Sequence, residues 1–503
     1  MREDAPLRAA RWCAQAQREA DRMPPERLTA LQPIVADLRI LVASQPELRG
    51  AAAIALLDIA ALAPCVSRGQ WATPLEEASA LAFEALGRGL DIDQDEGFAR
   101  TLVEQAGSKD PKTPVARRRA ALEALRGRRL ESTVSGVVAT LEDPAREVRD
   151  AAADALSGWD HPQVHQAMIG QWLRMRADLR WSANRAVERH FASLRYPRGG
   201  PLERALFDAL RPDLVGRDWR AVLRALRASH ALDNALAVPV LIESLGLWVG
   251  RRRAWEASGA RGPRAAREGV SLRVEQEFVA ALERRSGKRI GAFPERWSRW
   301  WRSAHDEPES DGSEPSQNAS KAGFYGLRPM TDRVCFVLDK SGSMGRSRAE
   351  EHSRYARALS EMERFLRDLP PGARFRVVLF SSSLEVWKDE LVLATPAAIG
   401  EALHWAGYHK PDGGTELRPA IEHVLRLDRQ GEPALARLEE DTVIVLCDGA
   451  TAEGPNWIEP LLERVGPATC VAFHCVLIGR GGGDGALRVL AEQSGGAYVE
   501  SEG

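Results

Sequence analysis

Two hydrophobic periodicities divide the chain. From residue 1 to about 303, apolar positions recur at three- and four-residue spacing between Pro and Gly breaks, which predicts successive helices. From about residue 328, short apolar runs alternate with amphipathic stretches, which predicts a doubly wound, mostly parallel sheet. The acidic stretch 306–320, rich in Ser, Glu and Pro, predicts a flexible linker. The predicted domains are therefore a helical domain (1–303), a linker (304–327) and an α/β domain (328–503).

A repeat is visible in the helical half. Residues 141–156 resemble a HEAT repeat, in which Asp143-Pro144 makes the turn and small residues let neighbouring helices approach closely. This resemblance implies an α-solenoid with a concave surface, and a non-repeating helical bundle is the alternative. The same residue types recur at a spacing of 31 residues: Ala121, Ala124 and Leu125; Ala152, Ala155 and Leu156; and Ala183, Ala186 and Val187.

Polar side chains follow two predicted buried strands and one glycine-rich loop. Ligands bind at the carboxyl ends of the strands in open α/β sheets, and hard oxygen ligands suit Mg²⁺ or Mn²⁺. An ordinary polar turn is the alternative for the first motif alone. The candidate metal ligands of the first motif are Asp339, Ser341 and Ser343. The loop Gly413-Gly414-Thr415 precedes a predicted helix, and the second buried strand, 441–447, is followed directly by Asp448.

These three motifs, in this order, resemble the von Willebrand factor A (vWA) domain and its metal-ion-dependent adhesion site. The resemblance covers about residues 328–503. It implies that Ser341, Ser343 and Thr415 supply hydroxyl ligands, while Asp339 and Asp448 neutralise the ion, often through bound water. It also implies one open coordination position for an acidic residue of a protein partner. The fold class predicted for the whole chain is α plus α/β, with a HEAT-like α-solenoid followed by a doubly wound, Rossmann-like vWA domain.

Enzymatic alternatives lack their required residues. Haloacid-dehalogenase-like phosphatases also begin with an Asp after a strand, but they need a second carboxylate two residues later, where this chain has Ser341. The glycine-rich loop 479–485 fails the order G-x-G-x-x-G, because Asp484 stands at its sixth position. Without a nucleophile–base pair, the motifs indicate binding rather than catalysis.

We therefore expect a metal-dependent protein-interaction module that is not an enzyme, with the helical repeats as a second binding surface. The alternative function is an accessory subunit of an AAA-type ATPase or metal-chelatase-like machine, whose ATPase is a separate chain.

Net charge, cysteine number and the longest apolar stretch indicate which class of partner and which cellular compartment to expect. The formal net charge of −2 gives no bulk attraction to nucleic acid, and only seven of the 69 basic residues are Lys, a bias typical of GC-rich bacterial genomes. Six scattered cysteines without a CxxC pair indicate buried thiols. The longest apolar stretch, 51–63, is shorter than the ~20 residues of a membrane span, and the N-terminus lacks a secretory pattern. The sequence as given therefore predicts a cytoplasmic protein.

Two local features remain. The basic segment from Arg251 to Arg267 is predicted to be a solvated loop between helices, and contact with an acidic partner or nucleic acid is the alternative. Trp297, Trp300 and Trp301 are predicted to seal the end of the solenoid, and a stacking surface for sugar or base is the alternative.

Overall fold

The computed structural model contains two compact units, Met1–Leu194 and Arg195–Gly503. The structure describes residues 3–18, 25–62, 74–92, 96–177, 185–193, 199–258, 269–306, 324, 331–345, 353–449, 451–478 and 485–501. The predicted linker at 304–327 and the glycine-rich loop at 479–485 lie almost entirely outside these ranges.

The first unit is helical over its described part, as the periodicity predicts. Its helices are α1 (Ala5–Arg18), α2 (Pro25–Ser44), α3 (Pro46–Ala60), α4 (Pro74–Ile92), α5 (Gly97–Ala106), α6 (Val115–Leu125), α7 (Val134–Thr140), α8 (Arg146–Leu156), α9 (Pro162–Ala177) and α10 (Ala186–Ser193).

The predicted repeat corresponds to two rows of stacked helices. Helices α6, α8 and α10 pack side by side in one row, and α5, α7 and α9 form the other. Among the recurring small residues, Ala121 and Ala152 are fully buried. Their small side chains let consecutive helices of one row approach closely. This stacking agrees with the solenoid expectation, and the HEAT assignment itself stays a prediction.

The described residues of the second unit begin with five helices that the sequence periodicity groups with the first unit. They are α11 (Pro201–Leu214), α12 (Trp219–Ala228), α13 (Asn234–Ala257), α14 (Leu272–Ser286) and α15 (Pro294–Asp306). They belong to the same compact unit as the sheet, so the boundary between the units falls at residues 194–195 and not near residue 303. The reason is tertiary contact: α12 packs on a helix of the α/β domain, and side chains of α12 and α14 hydrogen-bond to its backbone.

Within the described residues, a seven-stranded sheet forms the centre of the α/β domain. Its order is β3-β2-β1-β5-β6-β7, with β4 also paired to β2. β3 and β4 run antiparallel to β2, and the other pairs are parallel, which confirms the predicted mostly parallel sheet. The strands are β1 (Arg333–Asp339), β2 (Arg374–Phe380), β3 (Leu384–Val386), β4 (Val392–Leu393), β5 (Thr442–Cys447), β6 (Ala472–Ile478) and β7 (Tyr498–Ser501).

Helices cover both faces of this sheet. Because β1, β2 and β5 are buried along their whole length, they consist of nearly continuous apolar runs. Alternate residues of each strand enter two separate apolar cores, one with α16 and α17 and the other with α18, α19 and α20. These helices are α16 (Arg354–Arg367), α17 (Pro396–Tyr408), α18 (Leu417–Val424), α19 (Ile458–Thr469) and α20 (Ala486–Ser494).

Several local predictions change. Arg251–Arg253 lie inside α13 rather than in a loop, and Arg252 pairs with Glu275 at 2.8 Å. Arg261, Arg264 and Arg267 lie outside the described residues. Helix α15 packs on α13 within the second unit, where Trp297 is fully buried and contacts Trp300 edge to face. Trp297 is therefore buried in the last helix before the sheet, and a role of the three tryptophans in sealing a solenoid stays a prediction.

The structure corrects the predicted position of one cysteine and bears on the predicted absence of a membrane span. Cys470 precedes β6 instead of lying on it, and it ends α19 with a positive φ of 51°. The five described cysteines are buried free thiols, and Cys65 lies outside the described residues. Within the described ranges, none of the helices combines the length and apolar character needed to cross a membrane.

Candidate metal site

Parallel pairing of β1 and β5 brings two carboxylates to one edge of the sheet. The strands are in register from Val334 opposite Thr442 to Leu338 opposite Leu446. Asp339 is the last residue of β1, and Asp448 follows the last residue of β5. Both side chains are buried: Asp339 is 0% exposed, and the Asp448 side chain is 1% exposed.

The loop after β1 adds two hydroxyls to this pair. The backbone N–H of Ser341 donates to Asp339 Oδ1 at 2.6 Å, which turns the chain directly after the strand. The Oγ atoms of Ser341 and Ser343 lie 3.0 Å apart, and the Ser343 hydroxyl donates to Asp448 Oδ1 at 2.7 Å. The backbone N–H of Asp448 in turn approaches Asp339 Oδ2 at 3.5 Å. Four of the five predicted ligands therefore form one connected cluster of oxygen atoms.

Thr415 joins the cluster through the backbone of its loop. The N–H of Gly342 donates to the carbonyl of Gly413 at 3.1 Å, and the N–H of Ala452 donates to the carbonyl of Thr415 at 2.9 Å. Thr415 is thereby held between the loops that follow β1 and β5. Among the hydrogen bonds of the described residues, none links its hydroxyl directly to the other four side chains.

Glycine is required at one position of the Thr415 loop. Gly413 has φ +74°, and a Cβ there would lie 3.1 Å from Ser382 Oγ. The same hydroxyl accepts the N–H of Gly414 at 2.8 Å, and the N–H of Glu416 donates to the carbonyl of Ser381 at 3.1 Å. The loop after β2 therefore anchors the Thr415 loop, a role that the sequence motifs did not reveal.

The electrostatics of the cluster suit a cation. Burial raises the pKa of Asp339, hydrogen bonds from Ser341 oppose this shift, and the neighbouring carboxylate of Asp448 adds to it. A buried carboxylate beside a second carboxylate is stabilised in its ionised form by a cation. Two carboxylates and three hydroxyls are also the hard donors that Mg²⁺ and Mn²⁺ accept. No group of three or more His, Cys, Asp or Glu side chains with metal-binding geometry occurs among the described residues, so any ion here would depend on the hydroxyls.

The sequence did not predict two ion pairs at the cluster. Arg354 Nη1 donates to Asp448 Oδ2 at 2.8 Å. Lys340 is buried between two candidate ligands, and its Nζ pairs with Asp412 Oδ1 at 2.6 Å, which lowers the pKa of Asp412. The one sequence signal for Arg354 is its position, directly after the helix-capping residue Ser353.

Comparison with known proteins identifies the domain that carries this cluster. Residues 332–500 match the profile of the von Willebrand factor type A domain. These residues form a vWA domain. Domains of this type typically mediate protein–protein interaction.

Two curated relatives each match about a quarter to a third of the chain. Mouse inter alpha-trypsin inhibitor, heavy chain 4, is 32% identical over 130 residues, which are 25% of this chain and 13% of that protein. The human heavy chain H4 is 27% identical over 181 residues, or 35% of this chain and 19% of that protein. The chain thus spans less than a fifth of the length of these curated relatives. A solved von Willebrand factor type A structure from Catenulispora acidiphila is 20% identical, covers 33% of this chain and 38% of its own, and has a TM-score of 0.27.

Proposed function

We propose that the protein is a divalent-metal-dependent interaction module whose vWA domain binds an acidic residue of a protein partner. The observation that carries this proposal is the connected oxygen cluster of Asp339, Ser341, Ser343 and Asp448 at the carboxyl edge of β1 and β5. Thr415, held beside the cluster by its loop, would complete the ligand set. Mg²⁺ or Mn²⁺ bound there would act as the electrophile that accepts a carboxylate oxygen of the partner.

The charge and rigidity of the cluster favour capture over catalysis. A metal-activated water needs a free base beside it, and the two nearest carboxylates are both candidate ligands of the ion. The backbone hydrogen bonds that fix the Gly413 and Thr415 carbonyls hold the loops in place before any ligand arrives. Such preorganisation reduces the entropic cost of binding. The stacked helices of the first unit would offer the same partner a second surface, and two attachment points raise the effective concentration.

Calorimetric titration of Mn²⁺ into the full chain tests the metal site. We expect one site of modest affinity, because most of the ligands are neutral hydroxyls. Asp339→Ala should abolish binding, and Asp339→Asn should do the same while preserving the shape of the buried side chain. Asp368→Asn is the matched control, because it removes an exposed carboxylate at the end of α16 that is farther from the cluster. Equal Mn²⁺ affinity in Asp339→Asn and wild type would refute the site.

Affinity capture with and without EDTA then tests the use of the metal. Circular dichroism should show a folded protein in EDTA, because the two apolar cores of the sheet do not include the cluster. Captured partners should be lost in EDTA and recovered with Mg²⁺. Recovery of a AAA-type ATPase would assign the accessory role, and full capture in EDTA would assign binding to the helices instead.

A further inference from the structure

A cation of the protein itself binds one of the candidate metal ligands. Both oxygens of Asp448 are engaged, Oδ1 by the hydroxyl of Ser343 at 2.7 Å and Oδ2 by Arg354 at 2.8 Å. The carboxylate is buried, whereas the Arg354 side chain is 38% exposed. The guanidinium therefore reaches from the protein surface to a buried acid of the cluster.

The position of Arg354 in its helix is unfavourable without this contact. Ser353 caps α16 by accepting the N–H of Ala356, so Arg354 is the first residue of the helix. A helix N-terminus carries partial positive charge and disfavours cationic side chains there. The first turn of α16 contains no acidic residue that would offset this effect. Asp448, from a distant part of the chain, supplies the compensating negative charge.

Charge counting shows what Arg354 does to an ion at this site. Asp339 and Asp448 carry two negative charges when ionised, and Arg354 reduces the sum to −1. Lys340 and Asp412 neutralise each other and leave this sum unchanged. A divalent cation would bring the site to +1, whereas without Arg354 it would bring the site to zero. The loaded site with its charge of +1 attracts an anionic ligand, whereas a neutral loaded site does not.

We propose that Arg354 tunes the site for anionic partners: it weakens binding of the divalent cation and leaves the loaded site with a positive charge that a partner carboxylate neutralises. This inference rests on the proposed metal-dependent function. It makes Arg354 a residue that determines selectivity for the partner rather than a metal ligand. Loss of a purely structural ion pair would disturb Asp448 and weaken the metal site, whereas loss of an opposing charge strengthens it.

The test compares Mn²⁺ affinity in the full-length wild type, Arg354→Gln, Arg354→Lys and Arg357→Gln. Arg357 is an exposed arginine one turn later in the same helix, so its replacement changes net charge equally. We expect Arg354→Gln to bind Mn²⁺ about threefold to tenfold more tightly, the order expected for removing one partly solvated charge near the ion. Arg354→Lys and Arg357→Gln should stay close to wild type. High salt should reduce the gain through screening.

A second readout follows the anion, with acetate as the probe. Protein-bound Mn²⁺ accelerates relaxation of the acetate methyl protons, and at equal Mn²⁺ occupancy this effect should fall in Arg354→Gln. Unchanged or weaker Mn²⁺ binding in that variant, an equal gain in Arg357→Gln, or unchanged acetate relaxation would overturn the inference while leaving the metal site intact. Absence of Mn²⁺ binding in both wild type and Arg354→Gln would overturn the proposed function together with the inference.

Discussion

Arg273 Nη1, in helix α14, donates a hydrogen bond of 2.6 Å to the backbone carbonyl of Cys470, the residue that ends α19 of the vWA domain. The same nitrogen reaches the carbonyl of Asp441, directly before β5. In α12, Arg220 and Arg224 donate to further backbone carbonyls, those of Thr469 and Pro467, at 3.3 Å each. These contacts lie at the amino end of β5 and β6, opposite the candidate metal site, so α12 and α14 support the sheet at the edge away from that site.

This junction predicts that the vWA domain depends on its preceding helices. A fragment of residues 328–503 would lose Arg220, Arg224 and Arg273 and leave their buried carbonyl acceptors to water. We expect a lower urea midpoint for this fragment than for residues 195–503, measured by circular dichroism under identical conditions. Equal midpoints would show that the α/β part is autonomous, as the sequence boundary near residue 303 predicted.

Replacing Arg273 alone should reproduce part of this loss. Arg273 is 6% exposed and bonds two buried carbonyls, so Arg273→Met removes one donor from each, although the Asp441 carbonyl keeps the N–H of Ala472. We expect a loss of about 2–3 kcal/mol in the free energy of unfolding. Arg284→Met is the control, because Arg284 is exposed on the same helix and its replacement should cost less than about 0.5 kcal/mol. Equal losses in the two variants would mean that the junction contributes little.

The sheet could be predicted from the sequence more fully than the division into units. The apolar runs of β1, β2 and β5 indicate strands buried on both faces, and the structure contains them with nearly the predicted bounds. The short antiparallel strand β4 was missed, because two half-buried residues form no period. The compact units differ from the predicted domains, because helical periodicity marks a helix, whereas the partner that the helix packs against is set by distant residues such as Arg273.

The candidate site shows the same limit. Asp339, Ser341, Ser343 and Asp448 could be brought together from motif order alone, since parallel strands end at a common edge. Arg354 could not, because an arginine after a serine is unremarkable until the fold places Asp448 within 2.8 Å of it. Ser382, which anchors the Thr415 loop, likewise belongs to no motif in the sequence.

A buried histidine in the first unit predicts loss of stability in acid. His190 is 0% exposed and lies 3.1 Å from His165, whose other ring nitrogen contacts Asp160. Burial, reinforced by His165 and opposed by a backbone hydrogen bond to Leu156 and by Asp160, lowers the pKa of His190 to about 3. Below its ordinary value of 6.5 the unfolded chain binds a proton that the folded chain does not, so stability falls as the pH drops toward that lowered pKa.

The free energy of unfolding should fall by about 1.4 kcal/mol for each pH unit below the pKa of His190 in the unfolded chain. Urea unfolding at pH 7.5, 5.5 and 4.5 measures it, with each protein compared with its own value at pH 7.5. His190→Gln should show a shallower decline than wild type. His404→Gln should decline as wild type does, because His404 is exposed. A decline in His190→Gln as steep as in wild type would place the acid sensitivity elsewhere.

The loop that carries Thr415 leads to a prediction about a single hydroxyl. Its backbone is fixed independently of that side chain, because the N–H of Asp412 donates to the carbonyl of Lys340 at 2.7 Å and the N–H of Ala452 donates to the carbonyl of Thr415. Removing the hydroxyl should therefore leave the fold and the loop position unchanged. Thr415→Ala should lower Mn²⁺ affinity on the order of tenfold, equivalent to about 1.4 kcal/mol, and Thr415→Ser should retain most of it because serine keeps the ligand oxygen. Calorimetry of both variants, with melting temperatures as a control, separates a lost ligand from a disturbed loop. Equal Mn²⁺ affinity in the alanine and serine variants would mean that Thr415 is not a ligand and that the cluster binds its ion through Asp339, Ser341, Ser343 and Asp448 alone.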